Sequence, residues 1–244
     1  MKDWKNLLRE GIKILRKNDE DFDRLAAARN DEIIPLLERY VKEIELFNPA
    51  YRLVGTTDTN EIVIKHILDS LSPLGILSRI LQRASKTDSS GSPSGTGRNK
   101  EGYKIADAGS GAGLPGIPLA IVLPECYFTL IERMKRRAGF LLNTEAALAL
   151  SNLAIEENEL EKIAGNNSSR FDLITFRAFK PMEPKLLKTL YKVCAPEGFI
   201  AAYKGKLTKI EEEMKIIDNK NWEAIPYTVP FLEEERHLVV IKCK

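Results

Sequence analysis

Cysteine and histidine are scarce in this 244-residue chain, with three of the first and two of the second. Cys126, Cys194 and Cys243 show no C-x-x-C spacing and cannot all pair. That argues against a zinc site or a disulfide framework and for a reducing compartment, and the three read as packing residues. With only His66 and His237 available, no metal-ligand set is expected. Apolar runs long enough to cross a bilayer are missing, so no transmembrane helix is expected. The start, Met1-Lys2-Asp3-Trp4-Lys5, leads into a charged amphipathic pattern without an apolar h-region, and no signal peptide is expected. Charge of one sign is lacking too: 37 Lys and Arg face 35 Asp and Glu, a formal +2. Such a balance neither demands nor forbids a nucleic-acid partner, because a local patch acts where the total does not. Apolar residues at 43% and charged ones at 30% exclude wholesale disorder. The chain reads as a cytoplasmic globular protein.

Three regions separate along it. Residues 1–81 carry helical stripes: Trp4, Leu7, Leu8, Ile12 and Leu15, then Ile33, Leu36, Leu37, Tyr40, Val41, Ile44 and Phe47 at i, i+3, i+4, i+7. Pro35 fits only in the first turn of that second helix, where its missing N–H matters little. A third helical pattern runs from about Glu61 to Leu74. Residues 82–101 form a Ser/Gly-rich insert; eleven of the 16 from Ser85 to Lys100 are Ser, Gly, Thr or Pro, too few apolar groups to offset chain entropy. Residues 102–244 alternate short β-like runs (Tyr103–Ala108, Tyr127–Glu132, Leu153–Glu156, Phe171–Phe176, Phe199–Tyr203) with helical stretches at Ile117–Leu123, Lys135–Leu150 and Pro184–Val193. The alternation predicts an α/β fold with a mostly parallel sheet covered on both faces. Trp222–Val229 and His237–Lys242 add an antiparallel finish.

The sharpest local signal is Asp107-Ala108-Gly109-Ser110-Gly111-Ala112-Gly113-Leu114-Pro115-Gly116, directly after an apolar strand. Glycines there let the backbone adopt positive φ and approach a ligand, and the next helix offers free N–H groups. Glu132, at the end of the next strand, stands where a carboxylate acceptor for a ribose often sits. Two ligands compete. From Gly111 the run fits the dinucleotide pattern G-x-G-x-x-G; from Asp107 it fits Asp-x-Gly-x-Gly-x-Gly, similar to the first motif of class I S-adenosylmethionine methyltransferases. The second register places Gly109, Gly111 and Gly113 at the strand end where they are needed, and a nest with a nearby carboxylate suits the amino-acid end of that donor.

Further motifs occur in one order: Asn48-Pro49-Ala50-Tyr51, His66-Ile67-Leu68-Asp69-Ser70, Gly113-Leu114-Pro115-Gly116-Ile117-Pro118, Phe128-Thr129-Leu130-Ile131-Glu132, and Lys135-Arg136 with Phe140-Leu141. They continue as Phe171-Asp172 with Arg177-Ala178-Phe179, Lys204-Gly205, and Glu235-Arg236-His237-Leu238-Val239-Val240. The whole, from about Ile33 onward, resembles the RsmG family, also called glucose-inhibited division protein B. The resemblance implies a class I, Rossmann-like seven-stranded fold with an N-terminal helical extension. It also implies transfer of a methyl group from S-adenosyl-L-methionine to N7 of a guanosine (guanine 527, in the 530 loop) of 16S ribosomal RNA. The expected partner is that RNA or the small ribosomal subunit, with no membrane, and the expected state is a monomer. Gly109, Leu114, Leu160, Glu161 and Arg177 fall on positions where the family contacts the donor, and Asp107 and Glu132 add the class I roles. Departures are Arg52-Leu53-Val54 where the family has Asn-Leu-Thr, and Glu159 and Lys162 flanking Leu160-Glu161.

Guanine N7 attacks through a lone pair and loses no proton, so no general base is needed and alignment is the enzyme's main task. Arg177 is then expected to position the donor, with hydrogen bonding to carbonyls at the sheet edge as its plain structural role. Arg133, Lys135, Arg136 and Arg137 crowd the start of a helix, where positive charge opposes the helix dipole. Either phosphate contacts or a solvated face balanced by acids explains them, and Lys204, Lys206 and Arg236 extend the candidate RNA patch. His66 and Asp69, at i and i+3, share a helix face and read as a local hydrogen-bonding pair.

Overall fold

A computed structural model describes residues 3–86, 102–165, 171–178, 181–217 and 221–243. Helix α1 (Trp4–Asn18) is capped by Asp3 and buries Leu7, Leu8, Ile12 and Leu15. The Asp19 carboxylate then starts α2 (Glu20–Ala26) by accepting from Phe22 N–H at 3.1 Å. Helix α3 (Ile33–Tyr51) holds Pro35 in its first turn, buries Ile33, Leu37, Tyr40, Val41 and Ile44, and ends on left-handed Arg52. The third predicted helix is broken into α4 (Thr59–Ile62), a π-helical turn at Val63–Leu68, α5 (Asp69–Leu71) and α6 (Leu74–Lys86). Proline 73 explains the last break, since it offers no N–H to continue the ladder. Because α6 reaches Lys86, the helical region runs past the expected boundary at 81; 87–101 lie outside the described residues.

The sheet follows as β1 (Lys104–Ala108), α7 (Gly116–Val122), β2 (Tyr127–Ile131), α8 (Lys135–Leu148), β3 (Leu153–Glu156), α9 (Leu160–Gly165) and β4 (Phe171–Arg177). It continues with α10 (Pro184–Val193), β5 (Cys194–Lys204), α11 (Leu207–Ile216), β6 (Trp222–Tyr227) and β7 (Arg236–Lys242). Strand order is β3-β2-β1-β4-β5-β7-β6, with only β7 antiparallel to its neighbours. The chain winds from β1 to β3 in one direction and returns at β4 on the other side of β1. That reversal opens a crevice at the carboxyl ends of the strands.

Side-chain alternation divides the core. Ile105, Leu173, Phe199 and Leu238 pack with the apolar faces of α1, α3, α7 and α8, so the N-terminal helices share one core with that sheet face. Ala106, Ile174, Ile200 and Val239 pack on the other face with α9, α10 and α11. One reading of the cysteines is corrected. Only Cys126 is a free, buried packing residue; Cys194, opening β5, and Cys243, just after β7, form a disulfide. Strand pairing seats Cys243 N–H on the Gly198 carbonyl at 2.8 Å, and the turn from Cys194 to Gly198 brings the other sulfur back to it across 49 residues of sequence, a contact that spacing alone does not reveal.

Candidate functional site

After β1 the chain turns back over the end of β2. Gly109 N–H and Ser110 N–H both donate to the Ile131 carbonyl, at 2.9 and 3.1 Å. Gly109, Gly111 and Gly113 take φ of 68°, 59° and 88°, the left-handed region in which a side chain is disfavoured. Two carboxylates hold this turn. Glu132 accepts from Gly111 N–H at 3.0 Å and from Met134 N–H at 2.8 Å. Asp107 accepts from the Ser110 hydroxyl and, at 3.0 Å, from Gly116 N–H. The Tyr40 hydroxyl of α3 donates to the Ala112 carbonyl at 2.6 Å, so the N-terminal helices also grip the turn.

Beside the turn lies a cavity of about 650 Å³, bounded by the carboxyl ends of β1, β2, β3 and β4. Gly109, Glu132, Arg133, Arg137, Leu160 and Glu161 line it, which brings six of the expected site residues to one place. Met134, Asn158, Glu159, Ala178 and Lys185 line it as well and were not anticipated. Of these, Ala178 stands in the Arg177-Ala178-Phe179 motif and Glu159 is one of the departures from the family pattern, while Met134, Asn158 and Lys185 carry no sequence signal.

Other expected contacts lie elsewhere. Asp107 is fully buried beneath the turn, so it supports the loop instead of facing the cavity. Gly113 and Leu114 are buried, and a Cβ on Gly113 would come within 2.4 Å of Ile117 Cδ1. Gly111 is half-buried on the turn outside the cavity wall. Arg177, at the end of β4, turns its guanidinium to the N-terminal helices. It donates to the Lys65 carbonyl at 2.9 Å, pairs with Asp69 at 3.2 Å and lies 2.9 Å from His66 Nδ1. Burial and the Arg177 charge push the His66 imidazole down to about 3, so Nδ1 serves as the acceptor. The expected His66–Asp69 pairing is therefore a shared grip on Arg177.

The basic residues at the start of α8 also find partners. Arg136 donates to the Ala50 carbonyl at 2.7 Å and stacks over the Tyr51 ring, and Arg137 approaches the Arg52 carbonyl at 3.4 Å. They neutralise the carbonyl end of α3, which resolves the dipole conflict at their own helix. Lys204 pairs with Glu213 at 2.6 Å, and Arg236 with Glu234 at 3.0 Å and Asp69 at 3.5 Å. Arg133 and Lys135 remain exposed. Among the described residues, no three His, Cys, Asp or Glu side chains are grouped to hold a metal ion, and no helix is long and apolar enough to cross a membrane.

Burial raises the Asp107 carboxyl to about 6, opposed by its bonds to Ser110 and Gly116. The folded state thus takes up a proton between about pH 6 and 4 that the unfolded chain does not, and Asp107 opposes folding above that window. Asp107→Asn, which keeps an acceptor but removes the charge, should gain stability relative to the parent at pH 7. The gain should shrink by about 2 kcal/mol on going to pH 4. Paired denaturant melts at the two pH values check this; a difference independent of pH would refute it.

S-adenosylmethionine fits this cavity on the chemistry of its lining. Glu132 holds the turn with both oxygens yet has further lone pairs for ribose hydroxyls, Leu160 offers an apolar wall for adenine, and Gly109 permits close backbone approach. Fold and site together define a class I S-adenosylmethionine-dependent methyltransferase. The family described as rRNA small subunit methyltransferase G matches residues 33–239. A ribosomal RNA small subunit methyltransferase G of Treponema denticola is 35% identical, covering 97% of this chain and 93% of that protein. The Treponema pallidum (strain Nichols) protein of that name is 40% identical over 84% of this chain and 83% of its own, and the Klebsiella pneumoniae one 33% over 95% and 99%. The chain belongs to the rRNA small subunit methyltransferase G family.

Proposed function

We propose that this protein methylates N7 of a guanosine in 16S ribosomal RNA, guanine 527 of the 530 loop, acting in the cytoplasm on the small ribosomal subunit. The observation that carries the reading is the family match over 33–239, which spans α3 to α6 and the four strands whose ends build the cavity. When bound, S-adenosylmethionine supplies an electrophilic methyl group on a sulfonium; the transfer leaves a thioether and a cationic guanine. N7 carries no proton, so the site needs no general base, and its polar groups serve to bind and orient. In this reading Gly109, Glu132, Leu160 and Glu161 hold the donor, and exposed Arg133 and Lys135 meet RNA phosphate. An RNA that presents the base in a folded loop is read mainly by shape and backbone.

The test is tritiated methyl transfer to small ribosomal subunits lacking the modification, followed by nucleoside analysis. The expected product is N7-methylguanosine at that position. Label on N1 or N2 of a guanine, or on protein alone, would overturn the assignment.

A further inference from the structure

Asp69 belongs to a motif, His66-Ile67-Leu68-Asp69-Ser70, that donor binding does not account for. Its side chain is 5% exposed and joins three elements that meet at the carboxyl edge of the sheet. Oδ2 faces Arg177 of β4 at 3.2 Å and Arg236 of β7 at 3.5 Å, while Oδ1 accepts from the Tyr227 hydroxyl of β6 at 2.9 Å. A little further along the same helical segment, the Ser70 carbonyl accepts from the Tyr203 hydroxyl of β5 at 2.9 Å. One carboxylate thus organises the ends of three strands.

Its reach extends to the cavity through one peptide unit. Arg177 is the last residue of β4, in register with Tyr203, and its side chain is bound to Asp69, His66 Nδ1 and the Lys65 carbonyl. The next residue, Ala178, leaves the strand at φ 49° and lines the cavity. A left-handed alanine is strained and persists only where its surroundings over-determine it. Here backbone pairing fixes Arg177 on one side, and the grip on its guanidinium fixes it on the other.

Ala178 stands on the side of the cavity where the chemistry falls. Glu132 and Leu160 mark the β2 and β3 side as the place of the donor's ribose and adenine. Strand order β3-β2-β1-β4 then sends the sulfonium end toward β4. We propose that Asp69 is a positioning residue for methyl transfer, acting through Arg177 to hold the Ala178 wall against the reacting methyl and its acceptor. This rests on the methyl-transfer reading above.

The test is Asp69→Asn, which preserves shape and the acceptor for Tyr227 but places an amide beside two guanidinium groups. Steady-state transfer to unmodified small subunits should show kcat lowered by between about 10- and 100-fold, as small misplacements do. Donor affinity by calorimetry should stay within about threefold of the parent. In an Arg177→Lys background the same substitution should add little, because both act at one point. An unchanged kcat, an equal loss in donor affinity, or a full second loss in that background would overturn the proposal. Amide exchange across Thr175–Ala178 in the donor-saturated protein gives a readout independent of RNA: Asp69→Asn should speed it, and unchanged exchange overturns the proposal. Failure of the parent to methylate any small subunit would sink the substrate assignment, while the exchange result still decides the role of Asp69.

Discussion

Gly109→Val should remove S-adenosylmethionine binding, a loss of at least about 100-fold from a micromolar-order affinity worth about 8 kcal/mol. Gly109 sits at φ 68° with its N–H on the Ile131 carbonyl, and it lines the cavity. A β-branched side chain in that region is a genuine outlier. The turn would either distort, breaking the grip of Glu132 on Gly111, or hold and project two methyl groups into donor space. Both routes end in lost affinity. Gly109→Ala should fall between, with less steric bulk and the same backbone penalty. Calorimetry on the three proteins is the measurement, with circular dichroism to establish that the variants fold. Valine binding like the parent would mean that the donor does not approach this turn.

Much of this site was legible from local pattern. The strand, glycine turn and next-strand carboxylate gave the crevice because positive φ and close approach leave a compositional mark on the chain. Leu160 and Glu161 came through family motifs and do face the cavity. What stayed hidden depends on contacts between distant segments. No periodicity shows that Asp107 is roofed by its own turn, that Arg136 caps α3 through Ala50, or that Arg177 reaches back 108 residues to Asp69. Helices α2, α9 and α11 escaped for another reason: each buries only two side chains (Phe22 and Ala26, Leu160 and Ala164, Ile210 and Met214), too few to show a repeating stripe. The split of the third helix escaped because its apolar positions keep helical spacing through the π-turn.

Arg177→Ala should lower both stability and turnover, by separate routes. The Arg177 side chain is 15% exposed and that of its Asp69 partner 5%, so truncation leaves a buried carboxylate short of one partner. Removing one member of a buried pair costs about 3–5 kcal/mol, and Arg236 and Tyr227, which stay on Asp69, place this case near 3. Denaturant melts read that loss directly. The Lys65 carbonyl and His66 Nδ1 lose their donor as well, which loosens the seam between the π-turn and β4. Turnover should fall by about 100-fold, because Ala178 is no longer held at the cavity wall. Donor affinity decides the role of the arginine. A guanidinium committed to the N-terminal helices predicts affinity within a few-fold of the parent. A guanidinium that swings to the donor predicts affinity falling as far as kcat over KM. Calorimetry performed well below the variant's melting point separates the two. A variant as stable as the parent would show that the Arg177 seam does not hold the N-terminal helices to the sheet.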